Sequence, residues 1–350
     1  IKDKGKSWSY GDIDSSDNLT VTINIKDLRT YSSVLFGGSL GAGESYIKGY
    51  WSADDLTKLI RLFVRNREVV DPMNSGLGSL KRPINKIIHL INNNTKSGSK
   101  KNIKAHYDIG NDFFKIWLDK MMMYSSAIFN DRNISLDQAS NEKLDKICSS
   151  LELSPSDHLL EIGTGWGGLA IFAASNYGCK VTTTTISEQQ YEYAKKWIHK
   201  EKLSDRINLL RKDYRDLNGQ YDKLVSIEMI EAIGHKFLET YLKKCSDLVK
   251  NDGKIFIQAI TIADNQYEYS RKSVDFIQKY IFPGGALFSV PKLMQSISKA
   301  TDFELIQRDE IGLDYALTLK HWREKMLSNL EDIRSLGYSE NFIRMWEYYF

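Results

Sequence analysis

What the chain lacks sets the first limits. It has three cysteines, Cys148, Cys179 and Cys245, scattered without metal-ligand spacing. That pattern excludes a disulfide scaffold and a cysteine zinc site, and it reads as the reduced thiols of a cytoplasmic protein. No apolar run reaches the roughly 18 residues that span a bilayer. No signal-peptide pattern is seen, and the chain opens at Ile1 without a Met. No acidic residue lies between Asp71 and Asp108, while Lys81, Arg82, Lys86, Lys96, Lys100, Lys101 and Lys104 do. Such a stretch either contacts phosphates or is a solvated basic linker. It has no interleaved aromatics and no binding motif, so a nucleic-acid partner is not expected.

What is present reads as a globular protein of 350 residues, 42% hydrophobic and 27% charged, long enough for two domains. Residues 1–72 form the first. "LTVTINI" alternates like a strand, "TYSSVLFGG" reads as a second, and "GGSLGAGESYIKGYW" reads as loop. Ser52 is placed to cap a helix over "ADDLTKLIRLFVRN". Residues 73–104 form a basic linker. Within it Ile84, Ile87, Ile88 and Ile91 mark a short amphipathic helix, suited to an anionic membrane or to packing on the next domain. Residues 105–350 form the third part, where "HLLEIG", "KVTTTTI", "INLLRKD", "KLVSIEM" and "KIFIQAIT" are strands with helices between. That alternation predicts a parallel sheet with helices on both faces. An aromatic insertion follows Thr261, and "FELIQRDEIG" with "YALTLKHWREKML" closes the pattern.

The first strand of that series ends in "EIGTGWGG", with Gly163, Gly165 and Gly167 before a helix. Glycines there let the backbone approach a nucleotide. The spacing departs from the dinucleotide fingerprint, and the second strand ends in "TTTTIS" without the carboxylate that a dinucleotide ribose requires. The pattern resembles motif I of the class I S-adenosylmethionine methyltransferases, with Glu161 ordering the loop. Ser187 and Gln190 have the spacing of a capping box, and cofactor can lie against the same turn.

The odd segments then fall into place together. "GSLGAGESYIKGYW", "HYDIGNDFFKIWLD", "MMYSSAIF", "LLEIGTGWGG", "TISEQQ", "SIEMIEAIGH" and "DFIQKYIFPGG" resemble, in the same order, the cyclopropane-fatty-acyl-phospholipid synthases and their mycolic-acid relatives. The resemblance implies a class I, Rossmann-like α/β domain with a mostly parallel seven-stranded sheet, plus a smaller N-terminal α+β domain for lipid docking. It implies S-adenosylmethionine as cofactor, S-adenosylhomocysteine as its product form, and no metal. Cofactor contacts carry over to Tyr124, Ser125, Glu161, Gly163, Gly165, Gly167, Thr185, Ile186, Gln190 and Tyr214. Asp213 beside Tyr214 starts a turn.

The family reaction adds a methylene to a cis double bond of a phospholipid acyl chain, through a carbocation that bound bicarbonate deprotonates. The catalytic set carries over to Glu231, Tyr315 and the main chain of Ile260, with two departures. Gln258 stands where the family has His, and Ser126 where it has Cys. Ala232 likewise replaces a His. These departures leave a methyl-branched or methylene product as the alternative to the ring. A small-molecule N- or O-methyltransferase and a silent lipid-binding protein are the remaining readings. Tyr267, Phe276, Tyr280, Phe282 and Phe288 in the insertion are the candidate acyl-chain and cation-facing rings. The resemblance further implies a peripheral contact with the cytoplasmic leaflet, a homodimer, and a C-terminal lid continuing past Phe350.

Overall fold

The computed structural model describes residues 1–11, 19–66, 68, 98 and 109–350. The basic run and its isoleucine helix fall outside the described residues. The chain divides into two compact units. One comprises Ile1–His89, Ser273–Ile281 and Glu331–Phe350; the other comprises Leu90–Lys272 and Phe282–Leu330. These bounds differ from a simple N-to-C partition, because two later segments join the N-terminal unit. Their side chains explain it: the Phe276 ring lies 4.7 Å from Tyr348, and Tyr46 Oη donates to Glu347 Oε2 at 2.7 Å.

The first unit has a small sheet ordered β2-β1-β3-β4, formed by β1 (Lys2–Asp3), β2 (Lys6–Ser7), β3 (Ile23–Ile25) and β4 (Trp51–Ala53). "TYSSVLFGG", expected as a strand, and the expected loop after it are instead one helix, Arg29–Ile47, kinked at Gly38. The reason is its buried face. Thr30, Gly41, Gly43 and Ser45 are inside while Tyr31, Leu35 and Phe36 are exposed, so apolar periodicity points the wrong way. The next helix, Leu56–Arg65, is capped by Asp55, whose side chain accepts from Lys58 N, and not by Ser52, which pairs with Asn24 in the sheet. A compact core of Tyr46, Trp51, Leu56 and Leu59 closes the unit. Arg344 lies 3.9 Å over the Tyr46 ring.

The second unit is a five-stranded sheet, all parallel, ordered β7-β6-β5-β8-β9: β5 (His158–Ile162), β6 (Lys180–Thr184), β7 (Ile207–Leu210), β8 (Tyr221–Ile227) and β9 (Val249–Gln258). Leu159 and Leu160 point to opposite faces and enter two separate apolar clusters, which is how a sheet covered by helices on both sides must divide its side chains. The class I fold is present, but with five described strands where seven were expected. "FELIQRDEIG" forms none: Leu305 and Ile306 are 56% and 82% exposed and find no ladder partner. Among the described residues no helix is long and apolar enough to cross a membrane.

Candidate active site

From β5 the chain winds outward to β7, then returns to place β8 beside β5. That reversal opens a crevice at the carboxyl ends of β5 and β8, where open α/β sheets bind ligands. The glycine loop lines the β5 side. Gly163, Gly165 and Gly167 have φ of 105°, 53° and 100°, a backbone that a side chain would strain. The amides of Gly163 and Thr164 both donate to the Thr184 carbonyl at 3.1 Å. Thr164 and Thr183 hydroxyls meet at 2.6 Å, and Thr183 Oγ1 donates to Glu161 Oε2 at 2.6 Å. Glu161 thus reaches the loop through two threonines. Burial pushes its carboxyl up to about 8, so near neutrality it serves as a hydrogen-bonding group and not as a charge.

At the end of β6, Ser187 caps the helix Glu188–Lys200 by accepting from Gln190 N at 3.3 Å. The reciprocal half of a capping box is not made. Gln190 Oε1 instead accepts from Thr185 Oγ1 at 3.0 Å, and Gln190 Nε2 is left buried with no partner. An orphaned buried donor calls for a ligand acceptor. With the glycine loop opposite and half-buried Ile186 beside it, the set fits an adenosyl cofactor. Asp213 starts a turn as expected, accepting from Arg215 N and pairing with its guanidinium at 2.8 Å. Tyr214 is a core residue, edge-on to Tyr241 at 5.0 Å, more than an open stacking surface.

The segment before β5 packs over the loop. Its helix, Asn111–Trp117, starts after Gly110 without a side-chain cap; Asn111 Oδ1 accepts from Trp166 Nε1 of the glycine loop instead. Gly168 allows the close approach: a Cβ there would lie 2.2 Å from the Met121 carbonyl oxygen. Tyr124 is ringed by Phe114, Trp117 and Trp322, each with centroids 5.4 Å away, and by Phe282 at 5.8 Å. Helix Gly312–Ser328 supplies Trp322, and its Thr318 hydroxyl accepts from Ala127 N at 3.0 Å. Tyr315 lies one turn earlier on the same face, 6.4 Å from Trp322.

The insertion aromatics do not form one surface. Tyr267 and Phe288 both pack on His235, and Phe282 meets Tyr124. Phe276 and Tyr280 belong to the first unit, where Tyr280 Oη donates to Glu44 at 3.1 Å. The aromatic cage beside Tyr124 comes mainly from Phe114 and Trp117 of "DFFKIW" and from Trp322.

The β8 side is built from side chains. Met229 Cβ comes within 3.7 Å of where a Gly163 Cβ would stand, so the end of β8 abuts the cofactor loop. Glu228 and Glu231 flank that methionine. Glu228 Oε1 accepts from Ser126 N at 2.8 Å and from Gln258 Nε2 at 2.9 Å; the same Nε2 donates to the Ser126 carbonyl at 3.2 Å. Glu231 Oε1 accepts from Ile260 N at 2.5 Å, while its Oε2 is shut from solvent with no partner. Burial first, then the neighbouring Glu228 charge, pushes Glu231 up to about 8. Burial also raises Glu228, against the pull of Lys143, the Ser126 amide and Gln258. Near neutral pH Glu231 therefore holds its proton, while Lys143, the Ser126 amide and Gln258 favour charge on Glu228 against its burial.

Lys143 completes the site from beneath. It is fully buried on helix Leu136–Ser150, and its Nζ donates to Ser125 Oγ at 2.6 Å. Burial pushes it down to about 8, with Glu228 and Asp119 opposing. Asp119 accepts from the amides of Met121 and Met123, fixing the segment that leads to Tyr124.

Sequence reasoning chose Ser126, Gln258, Ile260 and Glu231, which the structure brings together, and missed Glu228 and Lys143. Lys143 had a visible signal: it sits at the core-facing spacing of Leu136, Ala139, Ser140, Leu144 and Ile147. Glu228 had a weaker one, a second acid in "SIEMIEA" at a backbone φ of 47°. Left-handed backbone costs a residue with a Cβ about 1 kcal/mol. Bicarbonate does not fit the carried-over set. The Ser126 amide and Gln258 face the Glu228 carboxylate, and the Ile260 amide faces Glu231. No donor of that trio remains for a dissolved anion.

Comparison with known proteins identifies the family. The family model described as mycolic acid cyclopropane synthetase matches residues 94–350. The chain is 34% identical over 320 residues to the tuberculostearic acid methyltransferase UfaA1 of Mycobacterium tuberculosis, covering 89% of this chain and 74% of that protein. It is 36% identical over 335 residues to the cyclopropane-fatty-acyl-phospholipid synthase of Escherichia coli strain K12, covering 93% and 82%. Among solved structures, the mycolic acid cyclopropane synthase CmaA1 complexed with SAH and CTAB superposes with a TM-score of 0.66 at 27% identity, covering 71% of this chain and 90% of that one. The chain belongs to the mycolic acid cyclopropane synthetase family and is a lipid-modifying methyltransferase of the class I, S-adenosylmethionine-dependent fold.

Proposed function

We propose that the enzyme transfers a methyl group to the cis double bond of an unsaturated phospholipid acyl chain and closes it to a cyclopropane. S-adenosylmethionine supplies the electrophilic methyl when bound. The observation that carries the reading is the continuity of the crevice: one methionine, Met229, separates the cofactor loop from a half-buried carboxylate pair. An alkene is a poor nucleophile, so its alignment with the methyl must be fixed and water excluded. The rings of Phe114, Trp117, Tyr124 and Trp322 supply an apolar, cation-tolerant wall. Ring closure then requires removal of a proton from the added methyl, and a carboxylate lies at hand.

The partner in this reading is a membrane surface, met by the first unit. Helix Leu56–Arg65 exposes Ile60, Phe63 and Val64 together with Arg61 and Arg65, a composition suited to an anionic interface. Incubation with labelled S-adenosylmethionine and unsaturated phospholipid vesicles tests the function. One added CH2 per acyl chain, resistant to mild hydrogenation, is the ring; a product that takes up hydrogen is the methylene or methyl-alkene isomer. No label in lipid would sink the reading. Vesicle binding is expected to weaken as salt rises.

A further inference from the structure

The disagreement between this site and a bicarbonate site has a positive content. We propose that Glu228 replaces the dissolved anion: it is the chain's own proton acceptor for ring closure, and the enzyme works without bicarbonate. The inference rests on the lipid-alkene reading above for the identity of the proton, but its anion-binding half does not.

Three observations converge. First, Glu228 Oε1 takes the two donors, Ser126 N–H and Gln258 Nε2, that an anion would otherwise occupy. Second, among the described residues nothing donates to its Oε2, which leaves that oxygen able to take a proton. Third, the position has left-handed backbone, with φ of 47°, where glycine would be the unstrained choice. A glutamate held there against local preference is a feature to be explained by what its side chain does. Gln258 also takes on a definite role. An imidazole donates with one nitrogen and accepts or releases with the other, whereas this amide nitrogen donates twice, to Glu228 and to the Ser126 carbonyl. It positions a carboxylate and is not asked to relay a proton.

After methyl transfer, the cation lies on the alkene carbon that did not receive the methyl. A C–H bond of the new methyl breaks, its electron pair forms the third ring bond to the cationic carbon, and the proton goes to Glu228 Oε2. Lys143 and the two hydrogen bonds favour the ionised form of Glu228 before the step, opposing the effect of its burial. The proton passes to solvent when the product leaves.

The test uses the whole chain in CO2-stripped buffer. Wild-type lipid methylation is expected to be unchanged by added bicarbonate. Glu228→Gln is expected to lose on the order of 100-fold or more in kcat, the usual contribution of a general base, with S-adenosylmethionine affinity by calorimetry unchanged. Glu228→Gly opens a carboxylate-sized space lined by the same donors, and added bicarbonate is expected to restore part of its rate. A readout independent of the substrate follows 13C-bicarbonate by NMR: no saturable binding to wild type, and binding to Glu228→Gly. Bicarbonate binding by wild type, a wild-type rate that rises with bicarbonate, or full activity in Glu228→Gln overturns the proposal. If wild type modifies no lipid, the lipid reading fails, and the 13C comparison still judges the anion claim.

Discussion

The two sides of the crevice are made differently. The β5 side is backbone: glycines with positive φ, amides tied to the Thr184 carbonyl, and a buried Glu161 that bonds without charge. The β8 side is side chains: two glutamates, an amide and a buried lysine, each dependent on the others. A backbone-built surface fixes which cofactor is held. A side-chain-built one can be altered residue by residue. Cofactor identity is thus expected to be robust, and reaction course adjustable.

The sharpest way to break that contrast is Lys143→Met. Removing the buried cation leaves Glu228 and Asp119 uncompensated, and the expected loss is about 3 kcal/mol of stability by denaturant unfolding, with activity lost as well. An unchanged midpoint would mean that the carboxylates do not depend on it. Next is Gly168→Ala on the opposite side. Its Cβ would collide with the Met121 carbonyl, so the segment over the cofactor must move. S-adenosylmethionine affinity is expected to fall about tenfold, or about 1.4 kcal/mol, with no new bicarbonate response.

The smallest effect is in pH dependence. Glu231 and Glu161 are both raised from 4.5 to about 8. Groups raised on folding contribute stability that is complete below the unfolded value and lost as pH rises through the folded one. Stability should therefore decline between about pH 4.5 and 8, and Glu161→Gln should flatten part of that slope while changing little at pH 5. Activity should fall above about pH 8, where Glu231 and Lys143 both lose protons. A profile still rising at pH 9 would contradict the assignment of the dyad's proton.

How much of this was legible follows the same division. The strands β5 to β9 and the glycine loop announce themselves, because short runs rich in Val, Ile, Leu and Thr alternate with helical stretches and a tight turn needs glycine. The helix Arg29–Ile47 does not, since small residues form its buried face and pattern reading weighs large ones. In "SIEMIEA" spacing cannot say which acid faces Ser126, because Glu228 leaves β8 by a left-handed step that no alternation predicts. Among the described residues "FELIQRDEIG" forms no strand, for a simpler reason. An alternating sequence near 305 becomes a strand only where a neighbour offers it a ladder, and there none does.

The left-handed backbone at position 228 also has a genetic meaning. Every glutamate codon becomes a glycine codon by one change at its second base. Glycine would relax the backbone there and clear the donors for a dissolved anion. If Glu228 is the base, two ways of completing the same reaction, one self-contained and one drawing on the inorganic carbon of the cell, stand a single nucleotide apart. A lineage could cross between them without rebuilding the fold.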